Sequence, residues 1–73
     1  MAHAIQIKFS RKIKALRKTS GLSQQKLAEL AELDYKHIQR LESKRPTDAK
    51  LTTIEKLAEA LKVPAWKLLQ FRD

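Results

Sequence analysis

The sequence predicts an all-α domain of five short helices with a helix-turn-helix at its centre. Apolar residues recur at three- and four-residue steps through most of the 73 residues, the period of one helix face. Gly21, Ser23, Asp34, Pro46 and Pro64 fall between these periodic segments, where helices stop and start. The stretch from Leu22 to Glu42, LSQQKLAELAELDYKHIQRLE, then reads as two short helices around a tight turn. Ser23 to Leu30 is the first piece, Ala31 to Leu33 the turn, and Asp34 to Ser43 the second. Leu22, Leu27, Ala28, Leu30, Ala31, Leu33, Ile38 and Leu41 can meet in one apolar wedge. Gln24, Gln25, Tyr35, Lys36, Gln39 and Arg40 are left to point outward.

The remaining elements are read in order. In the first ten residues, Ile5, Ile7 and Phe9 alternate with Gln6 and Lys8 as in a short strand, yet Ile5, Phe9, Ile13 and Leu16 step along one helix face. A helix is expected from about Phe9, with residues 1–8 either extending it or forming an arm or edge strand. Arg11, Lys12, Lys14 and Lys18 surround its apolar stripe. Ser20 and Gly21 end it, glycine being suited to the left-handed backbone of a helix stop. Leu22 is expected to be a buried linker and Ser23 an N-cap. Asp34 is expected to cap the second helix of the central unit. Ser43 to Thr47 is a basic loop in which Pro46 blocks further helix. A fourth helix starts at Asp48 or Lys50 and carries Leu51, Ile54, Leu57, Ala58 and Leu61. Lys62 and Val63 turn the chain, and Pro64 suits the first turn of a fifth helix over Ala65 to Phe71, carrying Leu68, Leu69 and Phe71. The chain reads as one domain over 1–73, with the helix-turn-helix unit at 23–43.

Composition narrows the function. Sixteen Lys and Arg against eight Asp and Glu give a formal net charge of +8, a surplus that points to a polyanionic partner. There is no cysteine, so neither a disulfide nor a thiolate metal site is available. No apolar run approaches the roughly 18 residues of a membrane span, and MAHAIQIKFS lacks the apolar core of a signal peptide; a cytoplasmic protein is expected. No nucleophile–base pair or glycine-rich phosphate loop is visible, so an enzyme is not expected. Two histidines without cysteine make no metal site, and no cofactor is expected.

A helix-turn-helix lays its second helix in the major groove of DNA, where each base pair shows a distinct pattern of donors and acceptors. Tyr35, Lys36, Gln39 and Arg40 have the chemistry to read it. Arg40 suits a two-bond grip on guanine, Gln39 one on adenine, and Lys36 a guanine or a phosphate. Ser23 and Gln24 lie at a helix start suited to a phosphate. Lys44 and Arg45, just past the reading helix, suit the flanking backbone. About six phosphates neutralised would give a slope of log affinity on log salt near −5.

The stretches IKALRKTSGLSQQKLAELA, HIQRLESKRP and LTTIEKLAEALKVPAWKLL resemble the Cro/lambda-repressor-like (XRE-type) helix-turn-helix family. The resemblance runs from about Phe9 to Leu69. It implies a five-helix lambda-repressor-like DNA-binding domain that acts as a homodimer on a palindromic operator. Arg17 and Glu42 match the family's partly buried ion pair between the first helix and the end of the reading helix. Gln24 matches its phosphate-contacting Gln. Tyr35, Lys36, Gln39 and Arg40 match its base-reading positions, and Lys44 and Arg45 its backbone-contacting loop. His37 matches a position often held by a larger aromatic and reads here as a helix-surface residue. Glu32, Lys44 and Lys62 depart from the family by replacing glycine at turns that favour left-handed backbone, at a cost of about 1 kcal/mol for Glu32. The loop before the fourth helix is about one residue longer than in the family.

Trp66 falls where the family is usually polar. With Ala65 and Phe71 it marks either a dimer surface or a ring folded back on a thin core. The leading function is a DNA-binding transcriptional regulator, as a repressor of the Cro type. A restriction-modification controller and an antitoxin with a toxin partner are variants of that reading. A protein-interaction module with only non-specific DNA binding is the alternative. A membrane-surface role would need an exposed apolar face that these stripes do not leave.

Overall fold

The computed structural model describes residues 3–71. Four α-helices are followed by a short 3₁₀ helix: α1 (Ala4–Thr19), α2 (Gln24–Ala31), α3 (Tyr35–Leu41), α4 (Leu51–Leu61) and the 3₁₀ helix Ala65–Leu69. None of the described residues is in a strand.

The ambiguous first segment is helix from Ala4. Gln6 decides it: its Oε1 accepts the His3 backbone N–H at 2.9 Å and its Nε2 donates to Asp48 Oδ1 at 3.0 Å. One side chain thus satisfies a free helix-start donor and ties that start to the loop before α4. Phe9 and Ile13 go into the core, while Ile5 stays exposed. Of the expected arm, residues 1 and 2 lie outside the described residues.

Three helix ends share one device. After α1, Gly21 takes φ +72°, the Leu22 N–H reaches the Arg17 carbonyl at 3.0 Å and the Gly21 N–H that of Lys18 at 3.0 Å. The turn after α2 repeats this with Glu32 at φ +56° and the Leu33 N–H on the Ala28 carbonyl at 2.9 Å. The turn after α4 repeats it with Lys62 at φ +58° and the Val63 N–H on the Ala58 carbonyl at 3.0 Å. Each is a left-handed helix stop that satisfies orphan carbonyls. Lys44 departs from the expectation, since it is not among the positive-φ residues. There the chain leaves α3 through Glu42, at φ −96° and ψ 4°, and needs no left-handed residue.

The core is built by Phe9 and Ile13 of α1, Leu27, Ala28 and Ala31 of α2, Ile38 and Leu41 of α3, Leu57, Ala58 and Leu61 of α4, and Leu68. The helix α2 packs on both α3 and α4, and the 3₁₀ helix packs on α4 and α1. Three expected core residues lie outside it. Leu30 is 49% exposed, Leu51 83% and Leu69 45%. Each sits at the edge of its apolar stripe; in α4 the innermost line is Thr53, Leu57 and Leu61, spaced by four. Leu22 is half-buried.

The fifth helix is a 3₁₀ helix of five residues, shorter than the α-helix expected to Phe71. Pro64 precedes it in extended conformation, the Lys67 N–H bonds the Pro64 carbonyl at 3.0 Å, and the Gln70 N–H bonds that of Lys67 at 3.2 Å. A piece this short, begun immediately after a left-handed stop, closes in the tighter i→i+3 pattern. The fourth helix begins at Leu51, with Lys50 at its N-cap.

Candidate nucleic-acid interface

The site is α3 and the elements that hold its two ends. Ile38 and Leu41 are fully buried, which turns the opposite face outward. Tyr35, Lys36, Gln39 and Arg40 are all exposed on that face. Spacings of one, four and five residues from Tyr35 place them on adjoining turns of one helix surface.

At its start α3 has Asp34 in the N-cap position, but the carboxylate makes no capping bond. Asp34 contributes through its carbonyl, which accepts from the His37 and Ile38 N–H groups at 3.0 and 3.2 Å. Contrary to the expected side-chain cap, the Asp34 carboxylate stays at the surface. His37 is half-buried beside it. At the other end α3 stops at Leu41, two residues before the expected Ser43. The Ser43 hydroxyl donates to the Arg40 carbonyl at 2.8 Å and occupies an acceptor that the ended helix leaves open. Lys44 and Arg45 follow, both exposed, and Pro46 is buried behind them.

Glu42 anchors this end. Arg17 Nε donates to Glu42 Oε2 at 2.8 Å and Arg17 Nη2 to Glu42 Oε1 at 3.0 Å. Both residues are 8% exposed. The pairing is a two-bond fork between planar groups, the geometry in which Arg and carboxylate bind most strongly. Arg17 Nη1 also donates to the Leu22 carbonyl at 2.7 Å. Gln24 Nε2 donates to Glu42 Oε1 at 3.1 Å. The last two contacts could not be read from the sequence: one acceptor is a backbone atom, and Gln24 is separated from Glu42 by the whole unit. Ser23 caps α2, its Oγ accepting the Lys26 N–H at 3.0 Å.

The residues expected at a dimer surface lie on and just after the 3₁₀ helix, which packs on α4 and α1. Trp66 is 63% exposed, so its ring is not folded back onto the core. Ala65 is exposed and Phe71 half-buried. Among the described residues no group of three or more His, Asp or Glu is gathered as a metal site, and no helix is long and apolar enough to cross a membrane.

This arrangement matches known proteins. A family profile described as helix-turn-helix matches residues 13–65. The restriction-modification controller protein C.AhdI from Aeromonas hydrophila superposes with a TM-score of 0.85 at 35% identity, over 90% of this chain and 98% of that one. A hypothetical transcription factor from Neisseria gives 0.85 at 30% identity, over 92% and 76%. SinR, a master regulator for biofilm formation solved in complex with DNA, gives 0.79 at 29% identity, over 85% and 98%. No curated protein matched. The chain belongs to the XRE-type helix-turn-helix family of DNA-binding transcription regulators.

Proposed function

We propose that this regulator acts in the cytoplasm as a homodimeric repressor on a palindromic operator, as one domain over 1–73. In this reading Tyr35, Lys36, Gln39 and Arg40 of α3 read base edges in the major groove. Ser23, Gln24, Lys44 and Arg45 contact phosphates on either side. The observation that carries the proposal is the exposed polar face of α3, whose far end is held by the buried Arg17–Glu42 pair. Gln24 keeps a second amide N–H for a phosphate while the first is spent on Glu42. Ser23 would act through the helix start it caps, since its Oγ is already an acceptor. Ala65, Trp66 and Phe71 form the dimer surface, and the two α3 helices then lie roughly 34 Å apart, one turn of DNA. Between the variants left open by the sequence, the likeness to C.AhdI favours a restriction-modification controller.

Selection from a randomised duplex pool at near-physiological salt tests this. The expected result is enrichment of an inverted repeat whose spacing reports the dimer. Binding without enrichment would overturn sequence reading, and a monomer by light scattering well above the binding concentration would overturn the dimer.

A further inference from the structure

Beside the reading helix lies an open groove of about 280 Å³ between α1 and the end of α3. Ser10, Arg11 and Lys14 line one side, and Glu42, Ser43 and Lys44 the other. Residues 10, 14 and 17 step along one face of α1, and Glu42, which Arg17 holds, itself lines the groove. Glu42 is the only acid in the lining. Its side chain is 1% exposed, and its two oxygens accept three bonds from Arg17 and Gln24. Its charge is therefore cancelled from behind. The cations in front are exposed, and none of Arg11, Lys14 and Lys44 is in an ion pair with a described residue. Ile7 lines the groove as well, beside Ser10, 6% exposed, and Ser43, so its floor mixes apolar and polar groups.

Three unneutralised cations around one groove suit a chain of negative charges. Lys44 stands three residues past the end of α3, so the groove opens where the sugar–phosphate strand would leave the bases that α3 contacts. We infer that Arg11 and Lys14 form, with Lys44, a second phosphate site that grips operator DNA flanking the bases being read. The inference rests on the DNA reading above and extends it to α1, which would then contribute affinity and register without reading sequence.

The test uses the full chain, the selected operator with its flanks, and the same operator trimmed to the read bases. Binding is measured by fluorescence anisotropy from 50 to 200 mM salt for wild type, R11Q/K14Q and K56Q; Lys56 is an exposed cation on α4. Losing two phosphate contacts lowers the salt slope by about 1.8 per protomer, so affinity falls roughly tenfold less over that salt range. R11Q/K14Q should show this loss on the flanked duplex and bind the trimmed one like wild type, with K56Q close to wild type on both. A double variant with the wild-type slope, or a K56Q effect as large per charge, overturns the inference while leaving sequence reading intact. Wild type that selects no DNA overturns both. Unchanged helical dichroism of the variants, whose altered side chains are exposed, shows that folding is not what is being read.

Discussion

Replacing Glu42 by alanine should cost this domain about 3–5 kcal/mol, the usual effect of removing one partner from a buried ion pair. The structure supports the upper class of effect over the surface one. Arg17 and Glu42 are each 8% exposed and meet through two bonds. In E42A the Arg17 guanidinium keeps one protein acceptor, the Leu22 carbonyl, and Gln24 loses its partner. A 73-residue domain has a total stability of about 4–11 kcal/mol at typical values per residue. The variant therefore loses about a quarter of its stability or more. At about 4–8 °C per kcal/mol for a domain of this size, Tm falls by at least roughly 12 °C. Urea unfolding followed by helical circular dichroism measures it, with an unchanged m-value showing that the folded state remains compact. A loss below about 1 kcal/mol, the range of an exposed pair, would refute the view that this contact locks α3 to α1.

Other outcomes follow from single residues. Glu32→Gly and Lys62→Gly should each stabilise the fold by about 0.5–1 kcal/mol, because both side chains sit on left-handed backbone; loss of stability in thermal melts would show that their side chains matter more than their φ angles. Leu57→Ala should cost roughly 2–5 kcal/mol and Leu51→Gln less than about 0.5 kcal/mol, since one is fully buried and the other 83% exposed; equal losses in urea titrations would contradict the placement of α4. If α3 reads bases as proposed, Arg40→Ala should relax discrimination at one base pair by about 1–3 kcal/mol, measured as the ratio of affinities for the operator and a single-site variant.

The central unit was legible because its signals agree. Ser23 suits a cap, Leu27, Ala28, Ala31, Ile38 and Leu41 share one side, and the turn between them is short. The left-handed turns at Glu32 and Lys62 were legible as places where glycine is expected, and the backbone adopts that conformation without it. Leu30, Leu51 and Leu69 were misread for a common reason: periodicity identifies an apolar stripe, but which edge of the stripe a neighbour covers depends on tertiary packing. The start of α1 could not be decided from local pattern because strand and helix periods both fit Ile5, Ile7 and Phe9. Asp48, a partner 42 residues away, ties that start to the rest of the fold. Trp66 was ambiguous because its pattern leaves open which way the ring turns, and only packing shows it outward. The cation groove was illegible for the opposite reason, since Arg11 and Lys14 alone are two charges on a solvated helix face.

The seven residues of α3 are too few to hold a helix by themselves, for isolated helices shorter than about 12 residues are marginal in water. Its direction must therefore be set at its ends. The Glu32 turn, with the Leu33 N–H on the Ala28 carbonyl, and the packing of α3 on α2 hold the first end. The second is held where α1, the Leu22 turn, the start of α2 and the end of α3 all place a polar group on the Arg17–Glu42 pair. The same cluster that orients the helix also fixes the Gln24 amide, so the phosphate contact proposed for Gln24 and the aim of α3 share one rigid support. Such a support lowers the ordering cost that binding would otherwise have to meet. It also means that a change at Glu42, which need not touch DNA, should weaken binding to read and unread sequences together, whereas a change at Arg40 should weaken the read sequence alone and narrow the gap between them.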